Sequence, residues 1–152
     1  MVIGFRAYPD GFAYVVLDGT QRKPVVEAHD RLSFPKDMKL GETLAWLRKQ
    51  LMEILEKHKP NRACVKAVEP LSKKKSAERY RVEGIIIEVV HTTLKCECAI
   101  RIKSQLKRDI PDFKEPARYI ERVLESCPSL KELKHPQYVE ATVAAVAELK
   151  VE

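Results

Sequence analysis

What most restricts the fold of this chain is the order in which two hydrophobic periods follow one another. Val2 to Ala7 and Phe12 to Leu17 are short apolar runs separated by the turn-forming Pro9-Asp10-Gly11, which predicts a β-hairpin. Asp18-Gly19 opens a second turn, and Pro24 to Leu32 mixes β-branched and polar residues as a third, antiparallel strand does. The period then changes. From Gly41 to His58 the apolar residues Leu44, Leu47, Leu51, Ile54 and Leu55 recur at threes and fours, the spacing of an amphipathic helix, and Pro60 follows its end. Ala63 to Val68 is a short apolar run between two helical stretches, so it reads as a parallel strand reached by a crossover. Ser76 is placed to cap a helix running to about Val90, and Leu94 to Ile100 reads as the fifth strand. Ile102 to Arg108 is short and basic, Glu115 to Leu124 reads as helix, and Gln137 to Leu149 as an alanine-rich final helix. Pro111, Pro116, Pro128 and Pro136 mark the joins. This order predicts an α/β architecture: a mixed five-stranded sheet, three antiparallel strands then two parallel, flanked by helices. A length of 152 residues fits one domain, 1–152.

Charge is distributed unevenly. The chain carries +6 overall, yet Arg62 to Arg108 alone holds 12 basic residues against five acidic ones, so the whole excess lies in that segment. A concentrated positive field favours a polyanion such as nucleic acid, through phosphate contacts and counterion release. Lys73-Lys74-Lys75 stands just before a helix N-terminus, where the dipole disfavours cations, which adds to the case for a polyanionic partner. No apolar run is long enough to cross a membrane, and Met1 to Arg6 lacks the pattern of a signal peptide, so the cytoplasm is the expected compartment.

Several residues read as structural. Cys64, Cys96, Cys98 and Cys127 match no zinc spacing and are expected to be reduced packing residues. His29, His58, His91 and His135 are scattered, so no metal is expected on them, and His91 is read as capping a helix end. Trp46 lies among Leu44, Leu47 and Leu51 and is expected in the core. Gly84, inside an apolar helix, is read as a point of close packing between helix and sheet.

Four segments, Ile3-Gly4-Phe5-Arg6, Gly11-Phe12-Ala13-Tyr14-Val15-Val16, Ala63-Cys64-Val65-Lys66 and Ser76-Ala77-Glu78-Arg79-Tyr80-Arg81-Val82-Glu83-Gly84, together resemble the ribonuclease H-like superfamily. More narrowly they look like its RuvC-type branch and that branch's small relatives of unknown function. In active members an aspartate on the first strand, a carboxylate at the end of the fourth and acids on the last helix hold divalent metal ions for phosphodiester cleavage. Here the first-strand place is taken by Arg6, and the fourth-strand place falls at Lys66 or Ala67, with Glu69 the nearest acid. Only Glu140 on the last helix keeps a match. Arg6 and Lys66 lie in central strands, where a charge needs a partner, so Arg6, Lys66 and Glu140 are expected to form an ion-paired cluster at the former metal site.

The resulting expectation is a catalytically degenerate domain, without cofactor, that binds nucleic acid, or a protein working on it, through Lys73, Lys74, Lys75, Arg79, Arg101, Lys103 and Lys107. Two alternatives stand beside it. One is a Mg²⁺-dependent nuclease whose acids have moved to Asp10, Glu69 and Glu140. The other is a structural or oligomerisation module, such as a homodimer, with no nucleic acid at all.

Overall fold

Turn chemistry at Pro9-Asp10 closes the first hairpin, in which β1 (Val2–Tyr8) runs antiparallel to β2 (Gly11–Gly19) with Tyr8 opposite Gly11. The computed structural model describes residues 1–71, 76–110 and 116–151. Lys73, Lys74 and Lys75 lie outside the described residues, as does Glu115. Gly19, at φ 85, turns the chain into β3 (Pro24–Ser33), which pairs antiparallel with β2. The crossover α1 (Leu40–His58) buries Leu47, Leu51 and Leu55 and ends at Lys59 in the left-handed conformation. It delivers β4 (Arg62–Lys66) parallel to β1, and α2 (Ala77–Leu94) in turn delivers β5 (Cys98–Arg101) parallel to β4. The sheet order is β3-β2-β1-β4-β5. After it come α3 (Lys103–Asp109), α4 (Pro116–Ser126), a 3-10 turn at Lys131–Lys134 and α5 (Pro136–Val146).

Period-2 alternation divides the buried strand residues between two cores. Ile3, Phe5, Phe12, Val16 and Val65 pack with α1 and α2, whereas Val2, Ala13, Val15 and Leu17 pack with α4 and α5. Trp46 sits at the rim of the first core, edge-on to Phe34. All four cysteines are free thiols, and burial pushes Cys64 up to about 11 and Cys98 up to about 12.

Three expectations change. The helix read as ending near Val90 continues to Leu94, because Lys95 adopts a left-handed conformation and its N–H closes on the His91 carbonyl at 3.1 Å. The fifth strand therefore begins at Cys98 rather than Leu94. The final helix ends at Val146, three residues before Leu149, and the chain continues in tighter turns through Glu148 and Leu149.

Gly84 is the third. It is exposed, and a Cβ built there would meet nothing within 4 Å, so it is not the point of close approach. That point is Gly4. A Cβ on Gly4 would fall 2.0 Å from the Ala141 carbonyl oxygen and 2.4 Å from the Ala145 nitrogen, so α5 lies directly on β1 through a contact only glycine permits. Pro136 at the first turn and the run of alanines make α5 a compact helix suited to that approach.

The two glycines are thus expected to respond with opposite signs. Gly4→Ala is expected to destabilise the protein by at least about 1–3 kcal/mol, since backbone of α5 has to move. Gly84→Ala is expected to stabilise it by about 0.5–1 kcal/mol, by relieving the entropy cost of glycine in an exposed helix. Urea midpoints of the two variants test this, and a silent Gly4→Ala would refute the seating of α5 on β1.

Candidate functional site

The parallel registers of β1, β4 and β5 place Arg6 beside Lys66 and Lys66 beside Arg101, a row of three cations across adjacent strands near their C-terminal ends. Alternation puts this row on the face covered by α5, in line with Gly4 and Cys64. Neighbouring strands lie about 4.8 Å apart, so each cation needs compensation.

Each has its own acid. The Arg6 Nε meets Glu140 Oε2 at 2.5 Å, and its Nη1 donates to the Lys66 carbonyl at 2.9 Å. Lys66 Nζ donates to Glu69 Oε1 at 3.0 Å and to the Ala67 carbonyl at 2.9 Å. Arg101 reaches Asp109 at 2.9 Å and also pairs with Glu148. The expectation gave Arg6 and Lys66 a common partner in Glu140, but the structure divides them. The chain after β4 brings Glu69 back over Lys66, where the backbone N–H of Lys103 also donates to Glu69 Oε1 at 2.9 Å. A second link fixes the same segment: Glu83 of α2, buried, accepts the Val68 N–H at 2.9 Å.

Close packing explains how Glu140 arrives. Gly4 lies two residues before Arg6 on the same face, and Ala141, which touches Gly4, directly follows Glu140. Seating α5 on Gly4 therefore sets the carboxylate against the guanidinium.

The electrostatics follow from burial and partners. Burial draws Arg6 below its ordinary value while Glu140 pulls the other way, and the guanidinium remains a cation. Burial alone would raise Glu69, but the Lys103 amide and the Lys66 ammonium outweigh it and hold the carboxyl below its usual range. Glu83 is pushed up by burial in spite of the Val68 amide and the field of Arg6, Lys66 and Arg79. Asp109 is held far below the usual range by Arg108 first and Arg101 second.

Arg6, Lys66, Glu69, Lys103 and Glu140 surround a cavity of about 230 Å³, with Leu106 and Val143 as its apolar wall. Arg6 and Glu140 also border a neighbouring cavity of about 150 Å³ with Arg79, whose buried Nε has no partner among the described residues. Of the basic residues singled out in sequence, Arg79 and Lys103 therefore gather at the site. Lys107 is exposed one helical turn beyond Lys103, while Arg101 is held inside by its two acids and is not a free surface cation. Asp10 is exposed in the turn between β1 and β2 and does not line the cavity that Glu69 and Glu140 share. Glu83 and Arg101 are members of this arrangement that sequence reasoning did not place there, since neither the loop after β4 nor the β4 to β5 register can be read from spacing.

No protein-family model matches the sequence, and no curated protein matches it. Solved structures do. RuvC of Thermus thermophilus in complex with a Holliday junction substrate matches with a TM-score of 0.74 at 12% identity, over 96% of this chain and 90% of that one. The fold is ribonuclease H-like, of the RuvC type. A further Thermus thermophilus RuvC structure matches at 0.72 with 14% identity, over 96% of this chain and 91% of that one. The fowlpox virus resolvase, in complex with Holliday junction DNA, matches at 0.59 with 11% identity and 98% of both chains. At such identities the likeness is one of fold. The divalent ions that a RuvC-type fold implies do not fit this donor set. Glu140 and Glu69 are already paired with Arg6 and Lys66, and among the described residues no three His, Cys, Asp or Glu groups converge to hold a metal.

Acid titration probes the row. Asp109 has its folded pKa depressed below the ordinary 3.8, so its contribution is complete above that value and is lost as the pH falls through and below it. Arg101→Met is expected to lower stability at neutral pH and to flatten the loss on acidification, read as urea midpoints across an acid series. An unchanged acid profile would show that Arg101 does not hold Asp109.

Proposed function

We propose that this chain is a catalytically degenerate RuvC-type domain that binds nucleic acid, branched DNA being the first substrate to test. The observation that carries this reading is the row of Arg6, Lys66 and Arg101, which puts positive charge where the family's metal-dependent chemistry needs carboxylates. Two-metal cleavage requires acids that gather cations and stabilise both the attacking and the leaving oxygen. Arg6 and Lys66 would repel those cations, and Glu69 and Glu140 are occupied in neutralising them. What this arrangement retains is the capacity to meet phosphate.

Support for nucleic acid comes from two directions. Two proteins of like fold, Thermus thermophilus RuvC and the fowlpox virus resolvase, have been solved in complex with Holliday junction DNA. The positive excess of this chain is confined to the segment that includes Lys66, Arg79, Lys103 and Lys107, together with Lys73, Lys74 and Lys75. Among the described residues no helix is long and apolar enough to cross a membrane, and four free cysteines suit a reducing compartment such as the cytoplasm.

The test is a binding and cleavage assay on four-way junction, duplex and single-stranded DNA and RNA over a salt series, with Mg²⁺ or Mn²⁺ present and absent. Binding that weakens steeply with salt and leaves the nucleic acid intact is the expected result. Triple replacement of Lys73, Lys74 and Lys75 by alanine is expected to lower affinity for all sequences alike. Metal-dependent cleavage abolished by Glu69→Gln or Glu140→Gln would instead establish a nuclease with displaced acids. Absence of binding at low salt would leave the structural module.

A further inference from the structure

We infer that the cavity between β1, β4, α3 and α5 is a metal-free seat for one backbone phosphate of the nucleic acid, held directly by Lys66, Lys103 and Arg6. This rests on the nucleic-acid reading above and adds to it the place and chemistry of one contact.

Donor bookkeeping points to an anion. Lys66 Nζ carries three N–H groups and uses two, on Glu69 and the Ala67 carbonyl. Arg6 has five and uses one on Glu140 and one on the Lys66 carbonyl. The Lys103 ammonium has no partner among the described residues, although its backbone N–H is fixed on Glu69 and so anchors the residue at the cavity mouth. Donors are thus left over around one cavity, while its two carboxylates are drawn to its own cations. The cavity keeps a positive balance: Arg6, Lys66 and Lys103 against Glu69 and Glu140.

Geometry adds the rest. Lys66 is 7% exposed and Arg6 12%, so an oxygen that reached them would do so in a partly desolvated place, where charge-assisted hydrogen bonds are stronger than on open surface. Leu106 and Val143 make one side of the cavity apolar. Lys103 is exposed at the cavity and Lys107 is exposed one helical turn further along α3, so positive charge continues beyond the cavity, as a continuing phosphate backbone would require. A phosphodiester oxygen accepts hydrogen bonds only, so it matches the unused donors of Arg6, Lys66 and Lys103.

The experiment measures fluorescence anisotropy of a labelled four-way junction with the full chain, in EDTA and across a potassium chloride series. Wild type is expected to bind in EDTA and to gain nothing from added Mg²⁺. Lys103→Ala and Lys66→Met are each expected to lower affinity and to reduce the log–log salt slope by about one, the signature of a lost phosphate contact. Lys49→Ala, on α1 away from the cavity, is expected to leave the slope unchanged. Lys103 is exposed, so its variant tests the seat even if Lys66→Met folds poorly. Wild-type binding that is indifferent to Lys103→Ala overturns the seat and leaves the nucleic-acid reading standing. No binding by wild type at low salt overturns both. Inorganic phosphate that perturbs the amide resonances of Lys103 and Leu106, while junction affinity ignores both substitutions, assigns the cavity to a small phosphate and overturns the backbone contact.

Discussion

Parallel pairing of β1, β4 and β5 is the constraint on which the candidate site depends. Once Gly4 is opposite Cys64 and Cys64 opposite Ala99, Arg6, Lys66 and Arg101 have no freedom to be anything but neighbours. Two unit charges 4 Å apart interact by about 4 kcal/mol at an effective dielectric of 20, so a bare row of this kind would oppose the pairing that creates it. The acids are therefore part of the fold's stability. They come from four separate places: Glu69 after β4, Asp109 ending α3, Glu140 in α5 and Glu148 beyond it. Ion pairs thereby tie α3, α5 and the segments that follow β4 and α5 to one end of the sheet.

How much of this could be read in advance depends on the range over which each signal acts. Element order was legible because hydrophobic period and turn chemistry are local, and the placement of Arg6 and Lys66 in central strands followed from it. The Arg6 to Glu140 partnership was also within reach, since a cation in a central strand needs a carboxylate and Glu140 borders the buried stripe of the last helix. Partner choice for Lys66 was not. Glu69 is only three residues away, but its carboxylate turns back because the Lys103 amide and the Glu83 carboxylate fix the loop after β4, and those contacts span 34 and 15 residues. The end of α2 was misjudged for a different reason: Lys95 in a left-handed conformation closes the helix with no glycine to announce it. Gly84 misled because a glycine marks either close approach or mere tolerance, and only the partner surface tells which. At Gly4 that surface is the backbone of α5; at Gly84 it is solvent.

Compared with a cluster of metal-binding carboxylates, the site solves one electrostatic problem with reversed signs. Gathered carboxylates repel until metal ions enter among them. Gathered cations repel until carboxylates do, and here the protein supplies those carboxylates itself. The difference lies in what remains over. Carboxylates supplied from the chain satisfy charge but not every hydrogen-bond donor, because each oxygen is held at the angle its own element dictates. Glu140 meets Arg6 through Nε, and Glu69 takes one of three protons of Lys66. A site built from cations and tethered acids thus keeps a small positive balance and unused donors, which is the condition under which an acceptor-only group such as a phosphodiester adds hydrogen bonds without displacing the ion pairs that hold the strands together.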